Sequence, residues 1–240
     1  MGGTRSRRLP RTLEPGAPMG VIDDYGLYLE ALLDVAEATG DVVHLQRANQ
    51  LAQVLLDRFW DPVDGGFFYT DRTAKSLLIR QKDATDGARP SGASRALASL
   101  NRLYALGASS ASSETVQQGL EASSIYLERS PAQVPTLNGM LDGLYVGSTE
   151  VIIVTPPGRP EQAAPFLTLY NQTYRPHTVL AVVQEGQGGA DFSAFKGKKA
   201  GKDGVLVYVC ASGVCAQPVN SIADMKSALE AMAAGKRPPQ

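Results

Sequence analysis

The chain has 240 residues, 43% hydrophobic and 20% charged, with 23 basic against 24 acidic side chains and a formal charge of −1. That length can bury one or two cores, and the near-neutral balance argues against the basic stripe of a nucleic-acid binder. No apolar run reaches the roughly 18 residues of a transmembrane helix, and two cysteines do not make a disulfide-rich secreted scaffold.

The first residues are basic, with Arg5, Arg7, Arg8 and Arg11. Pro10, Glu14, Pro15, Gly16 and Pro18 follow where an export signal would place an apolar region. Residues 1–20 therefore read as a disordered leader, and a cytoplasmic home is the expectation. From Ile22 to Thr39, Tyr25, Leu29, Leu32, Leu33 and Ala36 recur at helical period. Asp23 or Asp24 can cap that helix and suits its dipole. Gly40 is placed to end it in a left-handed conformation. A second helix over 42–59 follows after a short join, which predicts an antiparallel hairpin.

Trp60-Asp61-Pro62 stops this helix. Asp64-Gly65-Gly66 is a turn signal, Phe67–Thr70 reads as a short strand, and Leu77–Arg80 is its expected partner. The polar run 81–90 leads to Ser91, a good N-cap for a third helix over 91–106. A fourth is expected over 113–129 and a fifth over 136–146, with Pro131 and Pro135 between them.

Beyond residue 148 the composition turns β-branched. Strands are expected at 150–154, 178–183 and 205–210, and helices at 160–171 and 221–234, a small α/β module with some parallel pairing. The stretch 184–204, with six glycines and four lysines, reads as a solvated flexible loop. It runs into a strand, whereas a phosphate-binding glycine loop leads into a helix. The domain expectation is a leader to residue 20, a helical domain over 21–148 and an α/β module over 149–235.

Antiparallel hairpins place the N-termini of the first, third and fifth predicted helices on one rim. Asp23, Asp24 and Tyr25 open the first, Ser91 the third and Thr136 the fifth. The connection carrying Trp60, Phe67, Phe68, Tyr69, Lys82, Asp83, Asp86 and Arg89 returns to the same rim. Aromatics stack on sugar rings, and paired carboxylates are the acid and base of glycoside chemistry. Each residue also has a plainer reading: capping for Asp23 and Asp24, core for Tyr25, burial between hairpins for Trp60, Phe67 and Phe68, a surface ion pair or turn for Lys82, Asp83 and Asp86. Cys210 and Cys215 could be a disulfide, a redox pair or half of a metal site. Two free thiols in a reducing compartment are the favoured reading. His44 and His177 are not placed near them, and no cofactor or metal is expected.

Asp23-Asp24-Tyr25, Trp60-Asp61-Pro62 with Gly65-Gly66-Phe67-Phe68, Lys82-Asp83, Asp86-Gly87-Ala88 with Pro90-Ser91-Gly92, Glu150-Val151, and Tyr208-Val209-Cys210 through Cys215 to Pro218-Val219 together resemble one family. It is the thioredoxin-domain-containing family whose animal members are called spermatogenesis-associated proteins. The resemblance implies a mainly α fold: part of an (α/α)6 toroid similar to six-hairpin glycosidases and N-acylglucosamine 2-epimerases, then the small α/β module. About two and a half helical hairpins of such a toroid are counted in this chain. The family's thioredoxin-like domain, with its Cys-x-x-Cys, and the first hairpins are not found in it.

The resemblance thus implies a C-terminal fragment with impaired or absent catalysis alone. Any activity would be carbohydrate epimerase- or glycosidase-like, with Asp23, Asp24, Asp83 and Asp86 as catalytic carboxylates. Tyr25, Trp60, Phe67, Phe68, Lys82, Arg89 and Ser91 would bind the sugar. The alternatives are an accessory subunit that completes a toroid with a protein partner or a second copy, and thiol redox work by Cys210 and Cys215. Neither nucleic acid nor membrane is an expected partner.

Overall fold

The computed structural model describes residues 9–74, 78–202, 204–211 and 214–233. Their fold is mainly helical, with a small α/β module at the C-terminal end. The helices are α1 (Ile22–Thr39), α2 (Val42–Phe59), α3 (Gly92–Ala105), α4 (Ser113–Glu121), α5 (Ser124–Arg129), α6 (Pro135–Val146), α7 (Ala164–Asn171) and α8 (Ile222–Ala233). The strands are β1 (Thr149–Thr155), β2 (Thr178–Gln184), β3 (Leu206–Ala211) and β4 (Val214–Cys215).

Contacts divide the chain into two compact units. One holds the residues up to Leu33 with Arg47–Tyr104 and Ser110–Leu141. The other holds Asp34–Gln46, Ala105–Ser109 and the chain from Asp142 onward. The division falls within α1, α2 and α6 and at the last residue of α3.

In the first unit the apolar stripes predicted from sequence are buried. Tyr25, Leu29, Ala48, Leu55, Phe59, Ala96, Leu100 and Leu137 are all within 1% of complete burial. Tyr25 stacks at a tilt on Phe59, with ring centroids 4.8 Å apart. The closest helix approach is between glycines. A Cβ on Gly26 would lie 2.1 Å from the Gly92 carbonyl oxygen, and one on Gly92 would lie 2.3 Å from the Asp23 Cα. Both distances are far inside van der Waals contact, so α1 and the start of α3 meet backbone to backbone.

Several expectations are corrected here. Of the leader expected over residues 1–20, residues 1–8 lie outside the described residues; within 9–20, Pro10 pairs with Met19, and Gly20 donates its N–H to the Leu9 carbonyl. The Tyr25 hydroxyl accepts from the Leu9 N–H at 2.9 Å, which ties this turn to α1. Phe67–Thr70 is not a strand. Past the Gly65–Gly66 turn, at φ 69° and 75°, Trp60 and Phe67 form an isolated bridge, and the Tyr69 N–H donates to the Gln81 carbonyl at 2.7 Å. Of its expected partner, Leu77 lies outside the described residues, and Leu78 and Ile79 are exposed. The expected helix over 113–129 is two helices. Between them the Ser123 hydroxyl donates to the Gly119 carbonyl, competing with the regular ladder.

In the second unit the sheet order is β2-β1-β3-β4. β1 pairs parallel with β2 and antiparallel with β3. Val151, Ile153, Val207 and Val209 on one face form a core with Phe166 and Tyr170 of α7 and Met225 and Leu229 of α8. The α1–α2 join turns at Gly40, φ 71°, and Asp41 accepts from the Val43 N–H as the N-cap of α2. The stretch 184–204 is not a free loop. Phe192 and Phe195 are buried at 0% and 5% exposure and pack on each other, so the glycines and lysines around them are anchored.

Candidate functional site

Helix N-termini carry unpaired N–H groups that need acceptors. In the first unit, carboxylates from elsewhere in the chain supply several of them. Asp23 does not cap its own helix. Its Oδ1 accepts from the Gly92 N–H at 3.0 Å, at the first residue of α3, and its Oδ2 accepts from Arg89 at 2.7 Å. Asp24 serves α1 itself: Oδ2 accepts from the Val21 N–H at 2.8 Å, just before the helix. Asp86 spans two helices. Oδ1 accepts from the Ser91 N–H at 2.8 Å, and Oδ2 accepts from the Thr136 N–H of α6 at 2.9 Å. Ser91 caps α3, its Oγ accepting from the Ser94 N–H at 3.0 Å. The starts of α1, α3 and α6 are therefore gathered on one rim, held together by two aspartates.

Beside this rim runs the connection from α2 to α3. Lys82 is committed to its own turn, with Nζ 2.6 Å from Asp61 Oδ2 and donating to the Gly65 carbonyl at 2.7 Å. Asp61 is buried. Burial pushes its carboxyl up, but the Lys82 ammonium and the Val63 and Asp64 N–H groups outweigh that and hold it below its ordinary range. Phe68 lies under the Arg80 guanidinium, 4.0 Å from its centre, with Lys82 at 5.1 Å. Trp60 meets Phe67 edge to face at 5.1 Å. Asp83 is exposed, and its Oδ1 accepts from both the N–H and the hydroxyl of Thr85.

Most of the predicted site residues fall into two groups. Asp23, Asp24, Asp86, Arg89 and Ser91 form the rim, and Tyr25 lies in the core beneath it. Phe67, Lys82 and Asp83 instead border a cavity of about 240 Å³, together with Ser94, Tyr126 and Leu137. Trp60 and Phe68 do not line that cavity. Sequence reasoning missed Asp61, although it lies inside the Trp60-Asp61-Pro62 motif. It also missed Tyr126, which the break between α4 and α5 brings to the cavity.

The cysteine expectation is overturned. Cys210 and Cys215 are joined by a disulfide rather than held as free thiols. They are direct cross-strand partners of β3 and β4, with Cα atoms 3.9 Å apart. The short hairpin brings the sulfurs together, which spacing alone could not decide. Near them, the Glu150 carboxyl is pushed up by burial, a shift only partly offset by the Ser148 hydroxyl and the Lys198 ammonium. His177 lies apart from the disulfide, with Nε2 2.7 Å from an Asp142 carboxylate oxygen. The His44 side chain is 27% exposed, with Nε2 3.9 Å from an Asp41 carboxylate oxygen. Among the described residues no group of three or more His, Cys, Asp or Glu side chains could hold a metal ion. Nor is any helix among them long and apolar enough to cross a membrane.

No protein-family model matches the chain. It is similar to an uncharacterised Caenorhabditis elegans protein, 28% identical over 207 residues, covering 85% of this chain and 28% of that one. It is also similar to two proteins named spermatogenesis-associated protein 20. The Mus musculus protein is 25% identical over 225 residues, 91% of this chain and 28% of its own length. The Rattus norvegicus protein is 26% identical over 239 residues, 93% and 30%. The chain spans less than a third of the length of these curated relatives. The names of the mouse and rat proteins agree with the resemblance drawn from the motifs, and none of the names states a reaction or substrate.

Proposed function

We propose that this chain is the C-terminal part of a thioredoxin-domain-containing, six-hairpin glycosidase-like protein, and that its first unit binds a monosaccharide-sized ligand. The observation that carries this reading is the cavity that Asp83 and Lys82 share with Phe67 and Tyr126. Aromatic rings suit the apolar faces of a sugar, and a carboxylate accepts from its hydroxyls. At about 240 Å³ the cavity is below the roughly 300–1,000 Å³ of sites for drug-sized ligands, which limits the ligand to one ring. Asp83 is the proposed general acid or base, since it is exposed and Thr85 engages only its Oδ1. Asp23, Asp24 and Asp86 hold the rim rather than the reacting bond. Calorimetric titration with monosaccharides and N-acetylated monosaccharides tests this. Saturable binding that Asp83→Ala and Tyr126→Ala both weaken is expected. Absence of saturable heat for every sugar tested would sink the reading.

A second reading, an accessory subunit that docks on a partner, has its own observation. Leu144, Tyr145 and Val146 at the end of α6 are exposed, Tyr145 at 94%. Contiguous exposed apolar side chains favour association. Light scattering that shows only monomer across a wide concentration range would remove the self-association form of it.

A further inference from the structure

The disulfide is asymmetric. Cys210 is 4% exposed, while Cys215 on the edge strand is exposed. Lys198 Nζ lies 3.7 Å from the Cys215 Sγ. The lysine is held there from several sides. Tyr208 clamps the neighbouring Lys199, its hydroxyl accepting from the Lys199 N–H at 3.0 Å and donating to the Lys199 carbonyl at 2.9 Å. The Lys198 ammonium also lies over the Tyr208 ring, at 5.1 Å. The chain carrying it is anchored by buried Phe192 and Phe195. Glu150 is the direct partner of Cys210 across β1 and β3, so the two side chains leave the sheet on the same face. An exposed sulfur with a fixed ammonium beside it, backed by a buried sulfur opposite a carboxyl, has the parts of an exchange centre.

We propose that Cys210 and Cys215 form a thiol–disulfide exchange site for dithiols, with Cys215 as the attacked sulfur and Lys198 as the cation that holds its thiolate. One thiolate of the dithiol attacks Cys215 Sγ. The sulfur–sulfur bond breaks, and its electron pair leaves on Cys210 Sγ, which takes a proton from solvent. The mixed disulfide is then attacked by the dithiol's second sulfur, which gives its proton to solvent. Cys215 departs as a thiolate beside Lys198. The protein gains two electrons, and the dithiol becomes a disulfide. Thiolates are favoured beside a lysine cation.

Dithiothreitol is the probe. In the folded full chain we expect complete reduction, followed by thiol counting, with circular dichroism unchanged. Lys198→Met is expected to slow it about threefold or more, because the ammonium draws the attacking thiolate to Cys215 and stabilises Cys215 as the thiolate that departs in the second step. Lys198→Arg restores most of the rate. In Cys210→Ser, the ultraviolet absorbance of the Cys215 thiolate is expected to appear at least one unit below the roughly 8.5 of a free cysteine. A disulfide that resists excess dithiothreitol until the chain unfolds would overturn the proposal. So would an unchanged rate in Lys198→Met, a comparison that does not depend on the serine variant folding.

Discussion

Asp23 belongs to α1 yet caps α3: its carboxylate accepts the Gly92 N–H at 3.0 Å, across 69 residues of sequence. The same aspartate takes Arg89, so one side chain fixes both the start of α3 and the segment before it. Its side chain is only 14% exposed. Asp23→Ala should lower unfolding stability by about 1–2 kcal/mol, the range for a lost cap with a partly buried donor left unpaired. Urea denaturation measures it. A loss no larger than that of Arg89→Ala would mean that the surface ion pair, not the cap, is the stabilising part.

The glycine contact beneath that cap gives a sharper expectation. Gly26→Ala and Gly92→Ala each drive a methyl into backbone, which cannot step aside as a flexible side chain could. A loss of about 3 kcal/mol or more, or failure to fold, is expected for either, at the upper end of overpacking effects. Gly87→Ala is the control, because nothing lies within 4 Å of the point its Cβ would occupy. Equal behaviour of the three variants in thermal melts would refute the close approach.

Asp61 and Lys82 should shape the acid limb of stability. The Asp61 carboxyl lies below its reference value of 3.8 in the folded chain. A depressed carboxyl contributes stability that is present above the unfolded value and is lost as pH falls through the folded one. Asp61→Asn should therefore flatten the stability profile below about pH 4 and cost about 1–3 kcal/mol at neutral pH, since it weakens a buried charge-assisted contact. Chemical denaturation across pH 2–7 reads both effects.

Glu150 has the opposite sign. Burial raises its carboxyl above the reference value of 4.5. Its contribution is present in full below the unfolded value and is lost as pH rises through the folded one. Glu150→Gln should abolish that loss, leaving the variant at least as stable as wild type at pH 8. A wild-type profile that does not fall over this range, or a variant that falls in parallel with it, would show that Glu150 does not ionise in a desolvated site.

Much of the architecture was legible because it is local. The period of Tyr25, Leu29, Leu32 and Leu33 fixes one buried face whatever packs on it, and Gly40 needs its left-handed turn wherever α2 lies. The β-branched runs at 150–154 and 178–183 define strands by the same reasoning. Hairpin alternation and the returning connection put Asp86 and Thr136 on one side, and the hydrogen bond between them is what the tertiary structure adds. The aromatic run Phe67–Thr70 misled because two glycines bend the chain before a ladder can form. The stretch 184–204 misled because its composition is polar, while two phenylalanines decide its position.

From sequence alone came the helical periods, the turns, the composition shift near residue 148 and the set of residues able to carry chemistry. Those depend on spacing along one chain, and spacing survives without coordinates. Only the tertiary structure decided which carboxylate serves which helix, that Lys82 is taken by Asp61, and that Cys210 and Cys215 are bonded with Lys198 beside them. Most of these pairings are set by distances of about 3 Å between segments that sequence spacing does not bring together. A hydrogen bond weakens steeply once donor and acceptor leave that distance.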